Sequence, residues 1–475
     1  MLTGFFWTGI DVLVNRGIYV FLQLVLARIL FPEDYGIVAM AAVFITLLEL
    51  INDLGLGSAL IQKRNEELSS IHYDTAFWTG VVWAAFLYTI IYFLATPFIS
   101  KFYGEEILNN VIPCMALTLL FSSVAGIHRA KLIKKLQFKK IALVNTVSTV
   151  IAGVVSLFLA YKGFGIWALA LYSVVKLCIA VPLLFAATRW SPSFQWSFEA
   201  FRLLFGFGVF TLGTAIANVF SQKIDYLVIG KLIGATVLGY YTFAFLLTNV
   251  VRQQISGILG KVLFPVYAQL QDQPKKLFSL YLKMLSVNAL IVYPVLLGIF
   301  MFSEYMLPLL FDAKWNQSIP LLKILSVSVL IQMTVNSNQL LFRSYGKVRL
   351  EFTLQLVKAF LFFVPLIYVG TSTYGVLGAA GGFVLATFLS AVLTLYFLKQ
   401  IFNMKLNHLV EALKIPVAML LVCFSSTWLV LYFAGWQVGL TFYGSSVLVF
   451  YGIFAKKQTR FIGSVIHNRI RKNTH

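Results

Sequence analysis

Apolar runs of roughly 20 residues recur along the whole chain, separated by short polar segments. Each run is long enough to cross the hydrocarbon core of a bilayer as an α-helix, the conformation in which one segment satisfies all its backbone hydrogen bonds within lipid. Charged residues make up only 11% of the 475 residues, against about 25% in soluble domains. The expected fold is therefore an all-α polytopic membrane protein.

We predict about fourteen membrane spans from these runs. Most of the 37 Lys and Arg residues fall in the even-numbered loops and the tail, and basic loops stay cytoplasmic, so both termini are expected in the cytoplasm. The net charge of +20 then reflects topology, and no nucleic-acid partner is expected. The spans lie near 4–29, 36–60, 76–97, 109–127, 141–161, 165–187, 204–229, 236–262, 284–303, 319–342, 352–370, 375–397, 412–434 and 437–455.

A weak internal repeat relates two of these regions. Residues 15–62 match 218–265 under a shift of 203, with Gly36 aligned to Gly239 and Asn15 to Asn218. Paired repeats around a midplane site are typical of transporters, so the repeat favours transport. With six spans per repeat the two halves would have the same topology, related by an axis along the membrane normal.

Cysteine and histidine give no indication of metal chemistry. The three cysteines fall within apolar spans, and all five histidines, His128 among them, fall in predicted cytoplasmic loops or the tail. No spacing is typical of a zinc site, so we expect no metal and no cofactor. The loops are also short for a catalytic domain, which argues against a polytopic glycosyltransferase or polymerase.

The candidate functional residues are charges within the predicted spans. A charge near the bilayer centre costs roughly 2.5–3.5 kcal/mol, so such residues are expected to face a partner or a wet cavity. Arg16 is the deepest cation of the first span, with Asp11 and Asn15 within about one and a half helical turns of it. The full set is Asp11, Arg16, Glu49, Asp53, Lys176, Lys223, Asp225, Arg252 and Lys358.

Two of these sets have alternative interpretations. Glu49 aligns with Arg252 in the repeat, so an ion pair between them could close the cytoplasmic side, or each charge could be neutralised within its own half. Asp225 could bind a proton or sodium ion, or could pair with Lys223 or Lys231. Asp53, beside Glu49, is a second candidate for ion coupling.

Lys176 and Lys358 could line the cavity as further cations, or could extend to the interface. The basic stretch from His128 to Lys140 also has two interpretations: a topology anchor, or a surface attractive to anionic headgroups or a lipid-linked pyrophosphate.

Several segments resemble one family of transporters. They are Phe-Pro-Glu-Asp-Tyr-Gly at 31–36, Asn-Asp-Leu-Gly at 52–55, Leu-Phe-Pro-Val-Tyr-Ala at 263–268 and Phe-Asp-Ala-Lys-Trp-Asn at 311–316. These segments are similar to those of the Wzx-type polysaccharide exporters, which include the O-antigen, colanic-acid and teichuronic-acid flippases of the multidrug/oligosaccharidyl-lipid/polysaccharide flippase superfamily.

The resemblance implies two six-helix lobes in a V shape, at 1–200 and 201–399, followed by two helices and a basic tail at 400–475. It implies alternating access that moves an undecaprenyl-diphosphate-linked oligosaccharide to the outer leaflet of the bacterial cytoplasmic membrane, alongside a polymerase and glycosyltransferases. The rival of the same fold is a cation-coupled multidrug exporter. The expected diphosphate and cavity residues are Arg16, Arg252, Asn15, Lys176 and Lys358; those for a gate or for proton or sodium coupling are Glu49, Asp53, Asp225 and Lys223.

Overall fold

The computed structural model describes residues 2–63, 68–335, 338–402 and 406–452, and within these ranges the chain is helix and turn without a strand. Short π-helical segments lie at Ile91–Ala95 and Lys358–Phe363, and a 3-10 turn lies at Ala313–Trp315. The α-helices are α1 (Leu2–Ile29), α2 (Pro32–Asp53), α3 (Leu56–Gln62), α4 (Ser70–Ile90), α5 (Thr96–Tyr103), α6 (Leu108–Lys134), α7 (Phe138–Tyr161), α8 (Ile166–Thr188), α9 (Phe198–Leu232), α10 (Ala235–Gln269), α11 (Pro274–Phe311), α12 (Ser318–Met333), α13 (Asn338–Ser344), α14 (Val348–Val357), α15 (Val364–Phe402) and α16 (Leu406–Phe450).

Nine helical stretches of the described ranges are long and apolar enough to cross a membrane. Two of them leave helical geometry inside, at Gly375 and Gly435, so each contains two of the predicted spans. With α9, α10 and α12 added, the fourteen predicted spans are all represented. The prediction of an all-α polytopic membrane protein is confirmed. The basic tail and the end of the last predicted span, 453–475, lie outside the described residues.

The fourth predicted span, 109–127, is shorter than the helix that contains it. α6 continues from Leu108 to Lys134, so His128 is a buried helical residue and its predicted place in a loop is wrong. Its ring Nδ1 lies 2.8 Å from Thr188 Oγ1 at the end of α8. The helix continues because neither glycine nor proline follows Gly126 before the chain turns at Leu136, which has a φ of +55°.

The second predicted span, 36–60, is broken before its end. α2 begins at Pro32, where the Asp34 side chain accepts a 3.0 Å hydrogen bond from the backbone N–H of Phe31. It ends where Leu54 and Gly55 both have left-handed φ, +47° and +70°, and α3 begins at once. Helix breaks at membrane depth are tolerated where they face protein or a watery cavity.

The chain divides into two compact units, Met1–Thr242 and Phe243–His475. The first unit therefore includes α9, which packs on α2, α3 and α4, and the first turns of α10. The predicted lobes at 1–200 and 201–399, and the C-terminal segment at 400–475, stay a prediction.

The first turns of α2 and α10 meet at their backbones within the first unit. A Cβ on Gly36 would lie 1.7 Å from the carbonyl oxygen of Ala235, and a Cβ on Gly239 would lie 1.7 Å from the carbonyl oxygen of Pro32. Pro32 and Ala235 are equivalent under the same shift of 203 that relates the two glycines. Each glycine thus contacts the helix of the other copy at the position four residues before the other glycine. A local two-fold axis produces this reciprocal pattern.

The second unit shows how a proline inside a span is accommodated. Pro294 lies within α11 and has no N–H to donate to the carbonyl of Leu290 one turn earlier. The Tyr451 hydroxyl donates a hydrogen bond to that carbonyl, and the Tyr443 hydroxyl donates to the carbonyl of Pro294. The last span is therefore fastened to α11 through backbone groups near the proline.

We expect Gly36→Ala and Gly239→Ala to destabilise the protein, because each new methyl group must push two backbones apart. Overpacking typically costs about 1–3 kcal/mol. Gly381→Ala is the matched control, since a Cβ there meets nothing within 4 Å. Thermal unfolding of the purified protein in detergent measures the effect. Equal melting of all three variants would contradict the close contact.

Candidate functional site

Asp11 organises a hydrogen-bonded group between α1 and α7. The Asn15 side-chain N–H₂ donates to Asp11 Oδ1 at 2.7 Å, and that of Asn145 donates to Asp11 Oδ1 and Oδ2 at 3.1 and 3.2 Å. Asn15 also lies 3.4 Å from the Thr146 hydroxyl. Asp11 and Asn15 of α1 therefore have partners at the eighth and ninth residues of α7, a helix that is otherwise largely apolar.

Two cations interact electrostatically with this carboxylate, and a third interacts with one of them. The Arg129 guanidinium on α6 donates to Asn145 Oδ1 at 3.3 Å and interacts electrostatically with Asp11. Lys176 on α8 is within electrostatic range of Arg129, Asp11 and Arg16. We call the six residues the α1 cluster: Asp11, Asn15, Arg16, Arg129, Asn145 and Lys176.

The α1 cluster has more positive than negative charge and is half-buried throughout. Charges at membrane depth are costly unless paired or solvated, and one carboxylate cannot neutralise three cations. The arginines can hold a phosphate oxygen pair through parallel N–H groups. An aromatic pair adjoins the cluster: Arg16 lies 5.6 Å from the Tyr19 ring centroid, and Tyr19 lies 5.8 Å from Tyr172. The arrangement suits an anion with attached sugar rings.

Sequence reasoning placed Arg16, Asn15 and Lys176 in the site, and the structure brings these three together. The sequence predicts no role for Arg129, which lies beyond the predicted fourth span, or for Asn145. Two signals could have found them: the unbroken helical sequence after Gly126, and the adjacent polar pair Asn145 and Thr146 inside an apolar span.

A second polar site lies at the break between α2 and α3. A cavity of about 350 Å³ is bordered there by two carboxylates, Glu49 and Asp53, together with Gly57 and serines of α6. Glu49 lies 3.4 Å from the Thr118 hydroxyl. Asn52 donates to the carbonyl of Leu119 at 3.0 Å and to the hydroxyls of Ser122 and Ser123. We call this the α2 cavity.

The predicted residues of the second unit have local partners. Arg252 donates through Nε to Asn249 Oδ1 at 2.8 Å, one turn earlier on α10. Lys358 begins the π-helical segment and interacts electrostatically with Glu351. The gate between Glu49 and Arg252 would join residues of the two compact units, and it stays a prediction.

Asp225 is fully buried near the end of α9. Its carboxylate accepts hydrogen bonds from the Tyr241 hydroxyl and from the backbone N–H of Tyr226, each at 2.9 Å. Lys223 lies 4.3 Å from the Tyr226 ring centroid and interacts electrostatically with Asp225. These contacts join α9 to the start of α10, which supports the structural interpretation of this carboxylate.

The fold is that of known membrane transporters. The chain superposes on the lipid II flippase MurJ in an inward closed conformation with a TM-score of 0.76, at 14% identity, over 95% of this chain and 98% of that one. It also superposes on an inward-facing multidrug resistance MATE family transporter with a TM-score of 0.65, at 15% identity, over 83% and 94%. At these identities the likeness shows the fold alone.

The sequence comparisons define the family. The profile described as "Polysaccharide biosynthesis protein" matches residues 25–320, and the chain belongs to this family. It is 28% identical over 426 residues to the lipopolysaccharide biosynthesis protein WzxC of Escherichia coli K12, covering 87% of this chain and 84% of that protein. It is 26% identical to the teichuronic acid biosynthesis protein TuaB of Bacillus subtilis 168, over 64% and 63%. The resemblance seen in the sequence is confirmed.

We expect Asp11 and Asn145 to be energetically coupled, because each satisfies the other in a partly buried site. A double-mutant cycle with Asp11→Ala and Asn145→Ala should give a coupling of roughly 0.5–3 kcal/mol in chemical unfolding. A second cycle is the control and combines Asp11→Ala with Asn109→Ala. Asn109 lies at the N-terminal end of α6 and donates a hydrogen bond to the Ser100 hydroxyl, so the two changes should be additive. Additivity in both cycles would contradict the cluster.

Proposed function

We propose that this protein is a flippase that moves an undecaprenyl-diphosphate-linked oligosaccharide from the inner to the outer leaflet of the bacterial cytoplasmic membrane. The observation that carries the proposal is the α1 cluster, in which the three cations Arg16, Arg129 and Lys176 accompany a single carboxylate, Asp11. A diphosphate cannot cross hydrocarbon unaided, and this excess of positive charge would replace its hydration. The polyprenyl chain would remain in lipid.

Family and relatives support the same assignment. WzxC and TuaB are named for lipopolysaccharide and teichuronic acid biosynthesis, and ExoT of Rhizobium meliloti is named a succinoglycan biosynthesis transport protein. These names support a transporter rather than an enzyme. Transport proceeds by alternating access. A polymerase and glycosyltransferases would act on the same precursors. The basic even-numbered loops support cytoplasmic termini.

A cation-coupled multidrug exporter is the rival of the same fold. Such a protein would need a negatively charged binding site for its cationic substrates. The α1 cluster has the opposite charge balance, which favours an anionic substrate.

Arg16→Ala and Arg129→Ala should each reduce surface-glycan export at least about tenfold, since a hydrogen bond to a charged group contributes about 1.5–3 kcal/mol. Arg16→Lys should retain part of the activity, because it keeps the charge and loses the paired N–H donors. The measurement is surface polysaccharide in cells that depend on this protein, together with lipid-linked oligosaccharide accumulating inside.

Arg202→Ala, at an exposed arginine early in α9, is the matched control and should export normally. Protein in the membrane fraction is quantified for each variant. Near-normal export by Arg16→Ala at an equal protein level would overturn the proposed role of the cluster.

We further propose that the α2 cavity couples transport to a proton or sodium gradient. Glu49 and Asp53 offer carboxylate oxygens beside hydroxyl and amide groups, which suits either cation. Asp225 is the less suitable candidate, because its oxygens are already used by Tyr241 and the backbone.

Glu49→Gln and Asp53→Asn should fold normally and lose the response of transport to an imposed gradient. Asp225→Asn should instead lower thermal stability, because an amide cannot accept both hydrogen bonds of the carboxylate through equivalent oxygens. Proteoliposomes with a proton or sodium gradient and a labelled polyprenyl-diphosphate glycan provide the measurement. A gradient response that survives both cavity substitutions would exclude this site.

A further inference from the structure

A basic cavity lies between the C-terminal ends of α6 and α8 and the first turn of α7. Its volume is about 480 Å³, and four cations from three helix ends border it: Lys131, Lys135, Lys140 and Arg189. None of its bordering residues, all of them described, is acidic. We call this the α6–α8 cavity.

The cations of this cavity differ in their structural roles. Lys140 donates to the carbonyl of Ala187 at 3.0 Å, so it closes the end of α8. Lys131 lies 3.9 Å from the Trp190 ring centroid, which fixes its ammonium at one wall. Lys135 and Arg189 are exposed and lie at the C-terminal caps of α6 and α8.

The helix dipoles at the cavity have opposite signs and partly cancel. The C-termini of α6 and α8 carry partial negative charge, and the N-terminus of α7, at Gln137, carries partial positive charge. Four full side-chain charges exceed these partial ones. Lys131 interacts electrostatically with Asp74, whose carboxylate is already bonded to the N–H and hydroxyl of Ser193.

Exposed aromatic residues follow Arg189, the last residue of the cavity, in the sequence. Phe194 is 91% exposed and Trp196 is 53% exposed, in the segment that leads from α8 to α9. The Trp78 indole N–H donates to the carbonyl of Ser193 at 2.8 Å and its ring stacks on Phe194, so the segment is held on α4. Tryptophan side chains such as Trp196 are enriched at the headgroup level of a membrane. Trp190, against Lys131, joins this segment to the cavity.

We propose that the α6–α8 cavity binds the phosphate headgroup of an anionic phospholipid of the adjacent leaflet. The clustered cations account for recognition of the phosphate, and the neighbouring exposed rings account for a lipid rather than a free ion. Juxtamembrane basic groups attract anionic lipids in this way. The proposal is independent of the transported molecule, because the cavity shares no residue with the α1 cluster.

Binding is measured on the purified full-length protein in detergent, by mass spectrometry of retained lipid during titration with phosphatidylglycerol or with phosphatidylcholine of the same acyl chains. We expect phosphatidylglycerol to be retained preferentially. The double variant Lys135→Gln/Arg189→Gln should lower its apparent affinity about tenfold while leaving the packing of Lys131 and Lys140 intact. Lys101→Gln/Lys162→Gln is the control, with two exposed lysines away from the cavity, and should bind as the unaltered protein does.

Three results would overturn the proposal. Equal retention of the two lipids would show that the phosphate charge is not recognised. Unchanged affinity in the Lys135→Gln/Arg189→Gln variant would place the lipid elsewhere. Complete displacement of phosphatidylglycerol by micromolar sodium pyrophosphate would identify a site for a soluble anion. Glycan export, followed in parallel, tests the proposed function separately.

Discussion

The backbone contact of α2 with α10 is the constraint on which the arrangement of the first unit depends. Apolar side chains gain little by leaving lipid for one another, so helices in a membrane associate by close packing at small residues. Gly36 and Gly239 provide this packing twice, by equivalent contacts. Two further contacts hold α9 against α5 in the same unit. Gly230 packs against Tyr103, and Lys231 donates a hydrogen bond to the carbonyl of Phe102. Through these contacts α9 and the start of α10 belong to the first unit.

Duplication and specialisation can be separated along the sequence. The glycines are repeated at a shift of 203 and contact equivalent positions, whereas the charges are not repeated: Arg16 aligns with Val219, and Glu49 aligns with Arg252. Packing needs the same geometry in both copies. Binding of an asymmetric substrate, as proposed, would need different chemistry in each, and the charges of the α1 cluster have no copy at this shift.

The sequence was sufficient for the spans and only partly for the site. Hydrophobic length predicts α7 and α8 to within a few residues, because lipid imposes it on every span. The bounds of α6 were missed, since its last turns are basic and hydropathy does not distinguish a polar helix end from a loop. Arg129 was lost from the site for that reason. Partners such as Asn145 depend on how helices are rotated against each other, which one sequence does not contain.

The paired glycine contact has a consequence for how such a protein can vary over evolutionary time. Both contacts depend on one distance, the separation of two helix backbones. Once a larger residue replaces either glycine and that separation widens, the second glycine no longer has a close neighbour to accommodate. The second replacement should therefore be nearly neutral. The two positions form an epistatic pair: selection acts strongly against the first replacement and hardly at all against the second.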